Sequence, residues 1–221
     1  MKQIATTPRF TASRRGLILG AGAATALISM PALARTLTPR STEGPFYPRR
    51  LPLDRDADLT RVAGRTGAAQ GTVVNLTGRV VDPADRPVDG AMVEIWQCDA
   101  YGSYHHVGAG GHVGGRVDPN FQGYGRAKTA ADGGFRFRTI RPVPYPGRTP
   151  HIHVIVSGAG LGKLTSQLYI KGYPQNRRDY LFRSLGDAAA RDSVSMDLRP
   201  VPGQPGELAA QVVLVAGRTA E

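Results

Sequence analysis

Tyr145-Pro146-Gly147-Arg148-Thr149-Pro150-His151-Ile152-His153-Val154-Ile155-Val156 decides how this chain is read. The β-branched run after Pro150 has the composition of a strand, and in a strand side chains two apart leave the same face. His151 and His153 therefore aim two imidazoles at one spot. A buried strand normally carries apolar residues at such positions, and histidines there need partners for their ring nitrogens. Imidazole suits zinc, copper and iron alike, so the pair predicts a metal site without naming the metal, with hydrogen-bonded core histidines as the alternative. Two tyrosines narrow the choice. Tyr145 lies in the proline-rich turn at residues 142–146, and Tyr104 in Gly102-Ser103-Tyr104-His105-His106, directly after the strand-like run at 91–97. A phenol, with a free pKa of about 10, becomes a good ligand when a strongly Lewis-acidic ion removes its proton. Ferric iron fits best.

Working outward, strands are predicted at residues 72–81, 91–97, 134–140, 151–157, 164–171 and 209–215, separated by turn-forming clusters at 82–87, 131–134 and 157–160. Only residues 178–190 have a helical pattern, with Tyr180, Leu181 and Leu185 at compatible spacing. The expected fold is all-β, an antiparallel β-sandwich with an N-terminal arm and one short helix. Residues 35–71, rich in proline and charge, form the arm, and residues 72–221 the sandwich domain. The glycine-rich stretch at 108–115 lacks the Lys-Ser/Thr and following helix of a phosphate-binding loop and is expected at the surface. His105, His106 and His112 are expected beside the site or in solvent rather than as ligands, and Cys98 as a small buried residue.

The N-terminus indicates where the protein works. Ser13-Arg14-Arg15-Gly16-Leu17-Ile18 opens a twin-arginine pattern, followed by an apolar stretch at 17–28 and the small-residue sequence Ala32-Leu33-Ala34. Residues 1–34 are expected to be a cleaved signal peptide that exports the folded protein to the periplasm or beyond. The apolar stretch is too short for a membrane anchor. The formal charge of +11 includes Lys2, Arg9, Arg14 and Arg15, so +7 remains on the mature chain. Its arginines are scattered instead of clustered with stacking aromatics, which argues against nucleic acid as a partner. The single cysteine excludes an internal disulfide.

The order of a tyrosine in Gly-x-Tyr, a tyrosine in Pro-Tyr-Pro, an arginine three residues before the first histidine, and His-x-His resembles the intradiol ring-cleavage dioxygenases. Among them it is most similar to the iron-binding subunits of the protocatechuate-cleaving branch. Flanking matches are Thr42-Glu43-Gly44-Pro45, Gly78-Arg79-Val80-Val81-Asp82, Val93-Glu94-Ile95-Trp96-Gln97, Asp118-Pro119-Asn120-Phe121, Phe137-Arg138-Thr139-Ile140 and Ser166-Gln167-Leu168-Tyr169. The likeness runs from about residue 41 to about residue 175. It implies an Fe(III) ion held by Tyr104, Tyr145, His151 and His153, and a catechol-type substrate cut by O2 between its two hydroxylated carbons to a muconate-type diacid. In that scheme Tyr145 is the ligand that leaves and takes a proton, Arg148 and Gln167 face the bound ring, and Gly44 and Pro45 line the substrate cavity. The resemblance also implies a homo-oligomer. Where the resembled subunit has a longer insertion and a tryptophan, this chain has only five residues between Tyr145 and His151 and a glycine, Gly147, which leaves room for a larger or differently substituted catechol. The alternative is an exported metal-binding or ligand-binding β-sandwich without turnover, which would have no need of Arg148 and Gln167.

Overall fold

In a computed structural model the described residues are 35–105 and 115–218; the expected signal peptide, His106, His112 and most of the glycine-rich stretch lie outside them. Nine strands are present: β1 (Val73–Val81), β2 (Met92–Trp96), β3 (Tyr124–Lys128), β4 (Gly134–Ile140), β5 (His151–Gly158), β6 (Leu161–Ile170), β7 (Ser195–Met196), β8 (Arg199–Pro200) and β9 (Glu207–Val215). They form two sheets, ordered β4-β1-β9-β8 and β3-β2-β5-β6-β7. The expected sandwich is there, and all six expected strands match observed ones. Its sheets are mixed, not purely antiparallel, because β1 pairs with β9 in parallel and β6 with β7 in parallel. Hydrophobic alternation specifies which face a residue takes and says nothing about strand direction, so this could not be read from the pattern. β3, Tyr-Gly-Arg-Ala-Lys, is a strand only because β2 supplies a ladder for it.

The single expected helix at 178–190 is instead a 3₁₀ turn (Pro174–Arg177) and two short helices, α1 (Tyr180–Arg183) and α2 (Ala188–Ser193). Asp179 caps α1 through Phe182 N and Asp187 caps α2 through Ala190 N. Gly186, at φ +86°, sits between them in a conformation a helix does not continue through. Among the described residues no helix is long and apolar enough to cross a membrane.

Alternation on β5 sorts its residues between two apolar clusters. Ile152, Val154 and Val156 enter the main core with Leu76, Val93, Phe137 and Leu214. Ile155, on the opposite face, joins a second cluster with Trp96, Cys98, Tyr104 and Tyr124, against which Phe46, Tyr47 and Tyr145 pack. From His151 to Val156 every residue is buried, so this strand has no solvent face. Its outer side is covered in part by residues 35–71, which lack helix and strand apart from an isolated bridge at Asp58. Thr38 N donates to Val215 O (3.0 Å) and Ser41 N to Thr165 O (2.9 Å), while Leu59 N donates to Arg138 O (2.7 Å).

Leu76, wholly buried at the middle of β1 between β4 and β9, gives a direct check on the core. Leu76→Ala should lower unfolding stability by about 2–5 kcal/mol, read in urea denaturation with the slope unchanged.

Candidate metal centre

Strand register assembles the floor of the site. Trp96 of β2 lies opposite His153 of β5, which lies opposite Gln167 of β6, and His151 lies opposite Tyr169. The Trp96 ring stacks on the His153 imidazole at 4.6 Å and 9°. The two histidine Nε2 atoms face each other at 3.2 Å, and the Tyr145 hydroxyl is 3.5 Å from His151 Nε2. Tyr104 completes the group, with its ring 5.7 Å from that of Tyr145 and 6.2 Å from that of His153. The structure thus brings together the four residues singled out as ligands.

Their state suits a cation. His151 Nδ1 donates to Thr149 O at 2.7 Å, which leaves the Nε2 lone pair directed into the site. Burial, followed by the Arg148 charge, depresses the His151 pKa to about 4. Burial, then His151 and Arg148, carries His153 well below the usual imidazole value. Both rings are therefore neutral donors at neutral pH. Burial raises the Tyr104 phenol well above its ordinary value, and burial outweighs the opposing Arg148 charge to raise Tyr145 as well. The Tyr104 hydroxyl and His153 Nδ1 are buried without hydrogen-bond partners. Buried polar atoms left in that condition are rare and costly, and a hard cation held by Tyr104 would remove the cost at its hydroxyl. Among the described residues no group of three or more His, Cys, Asp and Glu side chains could hold a metal, so a donor set at this spot would have to include the tyrosines. Cys98 is buried, its thiol raised to about 12 chiefly by burial, and its Sγ points to Val143 O at 3.7 Å.

The chain's own arm roofs the site. Gly44, at φ +71°, passes so close that a Cβ there would lie 3.6 Å from His153 Cε1. Phe46 stacks on Tyr104 at 4.4 Å and 11° and meets Tyr145 edge-on. Arg148 is held from three sides: Nε donates to Asp179 Oδ2 (2.9 Å), Nη2 to Gln167 Oε1 (2.6 Å) and Nη1 to the Tyr145 hydroxyl (3.4 Å). Gln167 in turn donates to Thr42 O at 3.3 Å and accepts from Tyr169 at 3.0 Å. Arg148 therefore stands beside Tyr145, Gln167 against Arg148, and Gly44 beside His153.

Two buried carboxylates that sequence reasoning missed organise these loops. Asp99 accepts from Tyr101 N, Ser103 N, Asp118 N and His105 Nε2, wrapping the segment that presents Tyr104 around one carboxylate. His105 Nε2 is thus committed to Asp99, next to the segment that presents Tyr104. Asp179 takes Arg148, Thr149 N and Phe182 N. An Asp directly before a short apolar run is a helix-cap signal, and it could have flagged Asp179.

A family profile described as "Dioxygenase" matches residues 42–205. The beta chain of protocatechuate 3,4-dioxygenase from Burkholderia cepacia is 40% identical over 142 residues, 61% of this chain and 60% of that protein. Hydroxyquinol 1,2-dioxygenase from Rhodococcus opacus is 29% identical over 206 residues, 85% of this chain and 63% of that protein. This chain thus spans about 60% of the length of these curated relatives. Among solved structures, the dioxygenase domain of a dioxygenase carbohydrate-binding protein fusion from Streptomyces sp. SirexAA-E superposes with a TM-score of 0.64 at 30% identity, covering 83% of this chain and 100% of that one. The chain belongs to the intradiol dioxygenase family.

Burial works to raise the Asp179 pKa, but hydrogen bonds from Phe182 N, Thr149 N and Arg148 outweigh it and hold the carboxyl below its ordinary value. Its stabilisation is therefore present above the unfolded carboxylate pKa of about 4 and is lost as pH falls through the lower folded value. Asp179→Ala should cost on the order of 3 kcal/mol, since it strands Arg148 and uncaps α1. The stability gap between wild type and variant, followed by urea unfolding, should close below about pH 4.

Proposed function

We propose that this protein is a non-haem Fe(III)-dependent intradiol dioxygenase that cleaves a catechol-type aromatic between its two hydroxylated carbons, using O2, to give a muconate-type diacid. The observation that carries this is the convergence of two neutral imidazoles and two phenols in a buried site with the Arg148–Gln167 pair alongside. Relatives named for protocatechuate and hydroxyquinol support a catechol-type substrate. Tyr104, Tyr145, His151 and His153 would hold the ion. When bound, such an ion would supply the Lewis acidity that draws electron density from a chelating catecholate and activates its ring towards dioxygen.

The protein's own groups supply the rest. Tyr145, half-buried and with a raised pKa, is a strong base as phenolate, and its Oη takes a substrate hydroxyl proton when the catechol displaces it. Tyr104, wholly buried and pinned under Phe46, stays in place. The Arg148 guanidinium, fixed by Asp179 and Gln167, faces the negative charge that develops on the substrate as it reacts, a preorganised interaction that needs no rearrangement. Gln167 orients Arg148 and offers a hydrogen bond. Gly44 and Pro45 line the cavity, and the Phe46 ring excludes water. A storage protein would need the four ligands alone, whereas the Arg148 network favours turnover. The twin-arginine pattern supports export of the folded protein, with residues 1–34 as signal, 35–71 as arm and 72–221 as catalytic sandwich. Assembly as a homo-oligomer completes the proposal, and sedimentation of the active species checks it.

The purified protein should be red-brown from tyrosinate-to-iron(III) charge transfer. Tyr104→Phe and His153→Ala should lose both colour and iron; a colourless wild type holding stoichiometric zinc would overturn the assignment. With labelled dioxygen both atoms should enter one diacid product, and no yellow semialdehyde should form. Tyr145→Phe should keep some iron but bind catechols slowly. Arg148→Ala should slow cleavage about a hundredfold, on the order of 3 kcal/mol, with a smaller effect on catechol affinity.

A further inference from the structure

The 3₁₀ turn and α1 form a rim beside Arg148 that the proposed chemistry does not use. Tyr180, 64% exposed, opens α1, and its ring centroid lies 5.9 Å from the Arg148 guanidinium carbon. The same ring lines a surface cavity of about 590 Å3 together with Arg177, Phe182, Arg183 and Arg191. No acidic side chain lines this cavity, and among the described residues Arg177 and Arg183 form no ion pair. Arg191 Nη2 donates to Arg183 O and Gly186 O, but its Nε is buried with no partner. Nearby carboxylates are committed elsewhere: Asp179 to Arg148, Asp187 to the cap of α2 and Asp192 to Lys171. Three guanidiniums and two aromatic rings thus share one concave surface with no anion to balance them.

The cavity is joined to the proposed ligand cluster through Arg148. Its Nη1 is 3.4 Å from the Tyr145 hydroxyl, and its guanidinium carbon is 5.9 Å from the centroid of the Tyr180 ring that lines the cavity. The turn beside Tyr145 carries no side chain at Gly147, where a Cβ would meet nothing within 4 Å.

We propose that the arginine-lined cavity is a second binding site for a carboxylate, so that the preferred substrate is a catechol whose extended side chain ends in an acid. The proposal rests on the dioxygenase reading for its catechol end. Guanidiniums bind carboxylates as planar forks, Tyr180 and Phe182 offer faces to an unsaturated or aromatic spacer, and the uncompensated positive field draws anions in.

The test compares 3,4-dihydroxycinnamate with its methyl ester on the iron-loaded enzyme, and follows cinnamate binding to metal-free protein by calorimetry. The acid should show a KM at least about tenfold below that of the ester, rising with salt. In the Arg177→Ala/Arg183→Ala double variant the acid-to-ester KM ratio should move to about one, and cinnamate binding should be lost. Equal KM values for acid and ester in the wild type, or cinnamate binding unaltered in the double variant, would overturn the site. If neither compound nor catechol is cleaved, the dioxygenase reading fails, and cinnamate binding still decides the cavity.

Discussion

A strand buried on both faces is the constraint on which this structure depends. β5 sends Ile152, Val154 and Val156 into the core between the sheets, and its two-residue period then commits His151 and His153 to the other side. That side has no solvent either, because the arm, the loop presenting Tyr104 and the turn presenting Tyr145 lie over it. Burial keeps both imidazoles uncharged and both phenols protonated in the absence of an ion. The same dry surroundings that deny these groups water make them effective donors to a cation.

Around that strand, buried carboxylates fix what the sheets cannot. Strand register places Trp96, His153 and Gln167 in one row, but Tyr104, Tyr145 and Arg148 come from irregular segments whose shape no ladder enforces. Asp99 gathers backbone N–H groups from both sides of Tyr104. Asp179 ties Arg148 and Thr149 to α1. Each acts as a local template, and each is held below its ordinary pKa by the donors it collects, against the effect of burial. The basic rim on α1 is attached to the metal centre through the same carboxylate, so the position of Tyr180 and that of Arg148 are mechanically linked.

Much of this was legible because the relevant signals are short-range. His151 and His153 at i and i+2 with β-branched neighbours fix a strand and a shared face, and the prolines around Tyr145 fix a turn. Strand direction was not legible: β1 and β9 are separated by more than a hundred residues, and nothing in either alternation says that they run in parallel. β3 has too little apolar character to announce itself, since its Tyr124 is buried while Arg126 and Lys128 reach outward. The helical segment broke in two at Gly186, a residue whose positive φ outweighs the periodicity around it. Asp99 and Asp179 look like ordinary loop acids in one dimension, and their value comes only from the backbone amides that three-dimensional closure brings to them.

The bond from Val215 N to the Thr38 hydroxyl joins residues 177 positions apart. The segment that roofs the metal ligands leaves the ribosome first among the described residues, yet its anchor on β9 is among the last to be made. This latch of the roof therefore waits for β9, whereas its second hold, Ser41 N on Thr165 O, needs only β6. Pairings of such long range also slow folding. Together these leave the ligand-bearing strand open to an ion until β9 is in place and the arm is latched to it, a matter of timing written into the order of the elements.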